Sequence, residues 1–336
     1  MSGEAKDISQ IRCEQRAADY ERDISRAHPG LIILLIDLSS SMADKWSANG
    51  GPKLTEVSRI VNRFLEFIAV RSIGGYDEEA KTDIVYNYLT IGMFYYFSDT
   101  VISAWDGPLR GRGLVAISEI LNGPLGTRAE HVLMNLPDGK GGYEPIETEM
   151  DFPYWIDEAT VAEKAFGLTP MCKALATAAM FAAAWAKEHQ DSFPPIVFNI
   201  TDGQAKDATP DGVPTNDIPL DPAILERAAR LVTDVRTDDG NALLFNVHLS
   251  SMGSGECVMF PTREPFDIGD PFAGILFRIS SPIPGPLINE ARKHAQRIRG
   301  AFPELEIDAI RQGSRGFVFN SDASVLAAFL RIGTRT

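Results

Sequence analysis

Three cysteines in 336 residues, with no C-x-x-C spacing among them, leave this chain without a disulfide frame or a thiolate metal cluster. Cys13, Cys172 and Cys257 are isolated and odd in number, the pattern of reduced thiols in a cytoplasmic protein. The five histidines, His28, His131, His189, His248 and His294, make no H-x-x-x-H or H-E-x-x-H pair, which argues against a zinc site. Long apolar runs are missing too. The stretches around 31–36 and 174–186 are too short or too interrupted to cross a bilayer, and the first thirty residues lack the apolar segment of a secretory signal. Positive charge is in deficit: 32 Lys and Arg stand against 46 Asp and Glu, a net charge of −14. Neither a nucleic-acid backbone nor a membrane is therefore expected as the main partner. No G-x-x-x-x-G-K-[ST] and no G-x-G-x-x-G follows a predicted strand, so no glycine cradle for phosphate is present. The chain has no internal repeat and no low-complexity tract.

What the chain does have is an alternation of apolar runs and helical patterns. Residues 1–29 form a polar arm that ends at "HPG". Leu31–Ile36 is a continuous apolar run, as expected of a strand buried on both faces. Leu54, Val57, Val61, Phe64, Leu65 and Ile68 recur at helical spacing, and residues 91–105 read as a hairpin turning at Ser98 and Asp99. From about 106 to 165 glycine, proline and acids dominate, which predicts an insertion with one short helix near Leu114–Leu121, serving as a solvated loop or a partner surface. The alternation then resumes: an alanine-rich helix (171–190), strands at 195–200, 242–251 and 315–320, helices at 222–236, 286–299 and 322–332, and a second irregular insertion at 252–284. This order predicts a single α/β unit over 30–336 with a doubly wound, mostly parallel central sheet, one antiparallel edge strand and helices on both faces.

In such sheets the functional crevice lies beyond the carboxyl ends of the strands. Three polar clusters are expected there: Asp37-Leu38-Ser39-Ser40-Ser41, "GLTPM" at 167–171 and "ITDG" at 200–203. Each alone is an ordinary turn or helix cap. Together they offer carboxylates and hydroxyls and no nitrogen or sulfur, the donor set of Mg²⁺ or Mn²⁺. The spacing D-x-S-x-S lets Asp37, Ser39 and Ser41 turn toward one point. Asp207, five residues after Asp202, is read as a solvated loop residue with a supporting role at the site as the alternative.

D-x-S-x-S, a distant Thr before a helix and a T-D-G after a later strand, in that order, resemble the metal-ion-dependent adhesion site of von Willebrand factor A domains. The resemblance covers about residues 30–335, and it implies a Rossmann-like fold with Asp37, Ser39, Ser41, Thr169 and Asp202 as the five metal positions. The Thr-Pro-Met context and the closing segment look most like bacterial intracellular members of the tellurium-resistance-associated type. Such a resemblance implies a non-enzymatic, metal-dependent interaction module, engaged by an acidic residue of a partner protein such as a P-loop ATPase, kinase or phosphatase component of a stress system. The alternative is a Mg²⁺-dependent phosphatase or phosphotransferase. That chemistry wants D-x-D after the first strand, a nucleophile and an acid/base. This chain has Ser39 at the second position, and Lys173 is the one general acid that suggests itself.

Overall fold

The computed structural model describes residues 20–46, 50–137, 142–203, 205–207, 221–249, 257–264, 271–303, 305–319 and 323–334. The greater part of the expected N-terminal arm, with Cys13, and parts of the 252–284 segment lie outside them. Among the described residues, no helix is long and apolar enough to cross a membrane.

The first strand, β1 (Gly30–Asp37), is buried along its whole length. Its side chains alternate between two cores. Ile32, Leu34 and Ile36 face one, with α1 (Lys53–Arg71), α6 (Gly285–Ile298) and α7 (Ala323–Leu330). Leu31, Ile33 and Leu35 face the other, with α3 (Met171–Glu188), α4 (Pro222–Thr233) and α5 (Pro271–Ile279). Small residues on α3, Ala174, Ala178 and Ala182, are fully buried at helical spacing and let that helix lie close on the sheet. On the first face Phe198, Phe245, Phe260 and Phe329 form a ring cluster with centroids 5.4–5.9 Å apart.

The large sheet has eight strands. Four successive parallel pairs join β14 (Phe317–Phe319), β12 (Leu243–His248), β9 (Ile196–Thr201), β1 and β4 (Leu89–Phe97). The chain leaves β1 toward β4 and later returns to place β9 on the other side of β1. The carboxyl ends of β1 and β9 thus end side by side, with helices leaving on either face.

Two expectations are corrected here. Instead of one antiparallel edge strand, β5 (Thr100–Ser103), β6 (Leu114–Ala116) and β13 (Val258–Met259) all run antiparallel to their neighbours. Three further antiparallel pairs stand outside this sheet: β2 with β3 (Ile73–Asp77, Thr82–Val85), β7 with β8 (Gly126–Pro137, Tyr143–Tyr154), and β10 with β11 (Arg236–Thr237, Gly240–Asn241). The molecule is mixed α/β, neither the simple doubly wound sheet that the alternation of strands and helices predicted nor the von Willebrand factor A type that the resemblance implied. The second correction is the 106–165 segment. Beyond β6 and α2 (Ile117–Asn122), it forms a ribbon of two twelve-residue strands, β7 (Gly126–Pro137) and β8 (Tyr143–Tyr154), in continuous register. Acids on the solvated positions gave these strands the composition of a loop.

Asn62 of α1 anchors the base of this ribbon. Its Oδ1 accepts from the Trp155 and Ile156 amides at 2.9 and 3.0 Å, and its Nδ2 donates to the Ile156 carbonyl at 2.9 Å and to Glu158 Oε1 at 2.8 Å. Glu158 is in turn paired with Arg128 at 2.6 Å, and Arg63 stacks 3.5 Å from the Phe152 ring centre. Isolated two-stranded ribbons are marginal in water, so this clamp carries much of the ribbon's stability. Asn62→Leu leaves several buried polar groups unpaired and is expected to cost roughly 2–3 kcal/mol. Urea unfolding checks the loss, and limited proteolysis should show faster cleavage within 126–154. An unchanged midpoint and cleavage rate would refute the anchoring role.

Candidate functional site

At the ends of β1 and β9 the structure brings the expected oxygens together. Asp37 is the last residue of β1 and is completely buried. Its Oδ1 accepts from the Ser39 amide at 2.8 Å and its Oδ2 from Thr201 Oγ1 at 2.7 Å. Ser39 Oγ and Ser41 Oγ lie 3.2 Å apart, and Ser41 Oγ donates to Asp202 Oδ1 at 2.7 Å. Neither serine caps α1. Ser40–Ala43 forms a 3₁₀ turn of its own, and the Ser39 side chain makes no capping bond to it.

Backbone hydrogen bonds bring Thr169 to the same place. The Ser40 amide donates to the Gly167 carbonyl (3.2 Å), the Phe166 amide to the Leu38 carbonyl (2.9 Å) and the Lys206 amide to the Thr169 carbonyl (2.8 Å). Gly203 sits between the hydroxyls: a Cβ there would stand 3.9 Å from Ser41 Oγ and 4.0 Å from Thr169 Oγ1. Thr169 is not the N-cap its Pro170 neighbour suggested, since α3 begins one residue after that proline. The cap of α3 comes from Asp207, whose carboxylate accepts from the Cys172 and Lys173 amides at 3.0 and 3.1 Å. Asp207 is therefore a helix-capping residue beside the site. Lys173 lies on the exposed side of α3, and its ammonium donates to the Asp99 carbonyl.

Sequence reasoning missed Lys53. Its ammonium sits 2.7 Å from Asp202 Oδ2 and 3.4 Å from the Ser41 carbonyl, with the lysine side chain 0% and the aspartate side chain 1% exposed. A signal was present. Lys53 precedes Val57 and Val61 by four and eight residues, so it belongs to the buried stripe of α1. Thr201, the first residue of T-D-G, was also missed, and it binds Asp37 directly.

The electrostatics follow from burial. The Asp37 carboxyl is pushed up to about 7, first because burial penalises its charged form and then because Asp202 is near; the bonds from Thr201 and Ser39 oppose the rise. Asp202 shares the same edge and has its counter-charge in Lys53. Among the described residues no three His, Cys, Asp or Glu side chains gather as a metal cluster. The carboxylates here number two, and the rest of the donor set is hydroxyl.

No protein-family model matches the chain, and no curated protein matches it. Among solved structures, it is similar to a pilus adhesin, SpaC, from Lactobacillus rhamnosus GG, with a TM-score of 0.37 and 12% identity over 90% of this chain and 30% of that one. It is also similar to the PilB minor pilin from Streptococcus sanguinis, with a TM-score of 0.35 and 8% identity over 90% of this chain and 59% of that one. The pilus adhesin RrgA from Streptococcus pneumoniae gives a TM-score of 0.24 and 16% identity over 52% of this chain and 20% of that one. The chain spans less than two thirds of each, and none of the three is described as an enzyme.

These findings correct the family expectation. The structures found are pilus adhesins and a minor pilin, and no family model supports a von Willebrand factor A domain. The reading as an adhesion-site module that holds an acidic residue of a partner through magnesium falls with it.

Proposed function

We propose that the strand-end cluster is a cation-binding site. In this reading the Lys53 ammonium is the resident counter-charge, and Mg²⁺ or Mn²⁺ is taken up on Asp37, Ser39, Ser41, Thr169 and Asp202. The observation that supports it is the donor chemistry. Oxygens of Ser41 and Asp202 converge on the buried ammonium, and Asp37 brings a second carboxyl to the same edge. A hard divalent ion prefers such a set and keeps some of its water.

The activity this arrangement supports is binding rather than turnover. Ser39 occupies the position where a phosphatase carries its second carboxylate. Lys53 is held by Asp202 and is sealed from solvent, so it has no route to a substrate proton. Burial pushes the Cys172 thiol well above its ordinary value. Three isolated cysteines, with no spacing that would frame a disulfide set, support placement in a reducing, cytoplasmic compartment.

Calorimetry with Mg²⁺, and electron spin resonance with Mn²⁺, test the reading. One site is expected in the wild type, and Asp202→Asn should weaken it at least tenfold while the protein stays folded. Absence of any binding to the wild type at millimolar ion would refute the assignment.

A further inference from the structure

The opposite end of the molecule carries a cluster of the other sign. Four cations gather toward the ends of α1, α6 and α7: Arg71, Arg297 and Arg331 at those ends, and Lys293 about a turn further back on α6. The Phe67 ring lies against two of them, with the Arg331 guanidinium carbon 4.4 Å and the Arg71 guanidinium carbon 5.3 Å from its centre. These two charges are thus no more than about 10 Å apart, close to the Debye length at physiological salt. Arg297 reaches His294 Nδ1 at 3.5 Å. None of the four cations is ion-paired among the described residues, although the chain as a whole carries a net charge of −14. Glu290, one turn earlier on α6, gives an oxygen to the Gly333 amide.

Helix ends account for part of this arrangement. Cations are favourable at helix C-termini, each of which carries about half a negative charge. Three such ends balance about one and a half of the four positive charges, and an excess is left over. The surroundings register that excess. The His294 imidazole is pushed down to about 4, first by burial and then by Arg297, Arg331 and Lys293, so it stays neutral. Arg331 is likewise lowered by burial and by Arg297. Like charges gathered in excess cost stability, and an anionic ligand removes that cost.

We propose that this end of the molecule binds a phosphate group, held by Arg71 and Arg331 on the Phe67 ring with Arg297 reaching in from the end of α6. Guanidinium groups suit phosphate because their planar N–H forks match its oxygens. The same chemistry is found in a soluble phosphate compound and in a lipid headgroup, and the test separates the two sources.

The soluble probe is inorganic pyrophosphate, titrated by calorimetry at constant ionic strength against sodium chloride. The vesicle probe is sedimentation with phosphatidylcholine alone or with added phosphatidic acid. The double variant Arg297→Gln/Arg331→Gln is expected to weaken binding at least fivefold, whereas Arg110→Gln, an exposed arginine on the α2 side, leaves it unchanged. Loss of pyrophosphate binding in the double variant supports a soluble ligand. Arginine-dependent binding to phosphatidic acid vesicles without pyrophosphate binding supports a headgroup. Binding to neither probe, equal binding by the double variant, or equal binding to plain phosphatidylcholine overturns the proposal. Circular dichroism of the double variant confirms the fold. Should it fail to fold, Arg297→Gln alone, an exposed single change, carries the same comparison.

Discussion

Lys53→Met will lose about 3–5 kcal/mol of stability when divalent ions are chelated, the cost of leaving one member of a buried pair without its partner. The Lys53 ammonium is 2.7 Å from Asp202 Oδ2, and neither side chain reaches solvent. Methionine matches the length and volume of the lysine stem, so packing in the first turn of α1 is preserved and the change is one of charge. Asp202 would keep its bond from Ser41 Oγ, but not its counter-charge. Urea unfolding in EDTA measures the loss. If the strand-end cluster is a cation site, added Mg²⁺ should restore much of the lost stability and should bind the variant more tightly than the wild type, because the ammonium no longer competes for Asp202. The two parts fail separately. An unchanged midpoint in EDTA would mean that the ion pair contributes nothing to the fold. A destabilised variant that Mg²⁺ does not rescue would leave the pair as purely structural and sink the cation assignment.

The site was legible in the sequence to the extent that strand ends must converge. A buried parallel strand that finishes in Asp37, and another that finishes in Thr201-Asp202, place those groups at one edge whatever else the chain does. The serines and the Thr169 loop follow, because backbone bonds such as Ser40 to Gly167 tie the two loops together. What fills the centre of the cluster was harder to read. Lys53 looks like an ordinary surface residue at a helix start, and only its register with Val57 and Val61 gives it away. Its partner Asp202 is 149 residues distant, so no local pattern encodes the pair. The ribbon at 126–154 was hidden for a different reason. Both its faces are largely solvated, so the alternation of apolar residues that marks a half-buried strand is weak, and acids fill the exposed positions. The family name went furthest astray. It extrapolated from a handful of oxygen-bearing residues to a whole domain, whereas three antiparallel strands in the main sheet and three separate strand pairs were set by segments the motif does not touch.

Asp37→Asn is expected to be more stable than the wild type above neutral pH, and the gap should close in acid. The Asp37 carboxyl is raised from 3.8 to about 7, with burial as the leading cause. A carboxyl whose folded value lies above its unfolded one binds its proton more tightly in the folded state. Stability on this account is therefore greatest below about pH 4, falls as pH rises through the window from about 4 to 7, and is level above it. Every tenfold gain in proton affinity on folding corresponds to about 1.4 kcal/mol, so the wild type forfeits about 4 kcal/mol across the window. Asparagine imitates the protonated form. Its oxygen can accept from the Ser39 amide as Oδ1 does, and its NH₂ can donate to Thr201 Oγ1, whose own proton can turn to the Gly203 carbonyl 3.4 Å away. The comparison is urea unfolding of both proteins at pH 4.5, 6.0 and 7.5 in EDTA, where contributions from the other titrating groups cancel in the difference. The expected result is a difference that grows with pH in favour of the variant, toward that figure. Parallel pH profiles would mean that Asp37 ionises in the folded protein as readily as in the unfolded chain, and that the buried end of β1 holds no suppressed charge for a cation to release.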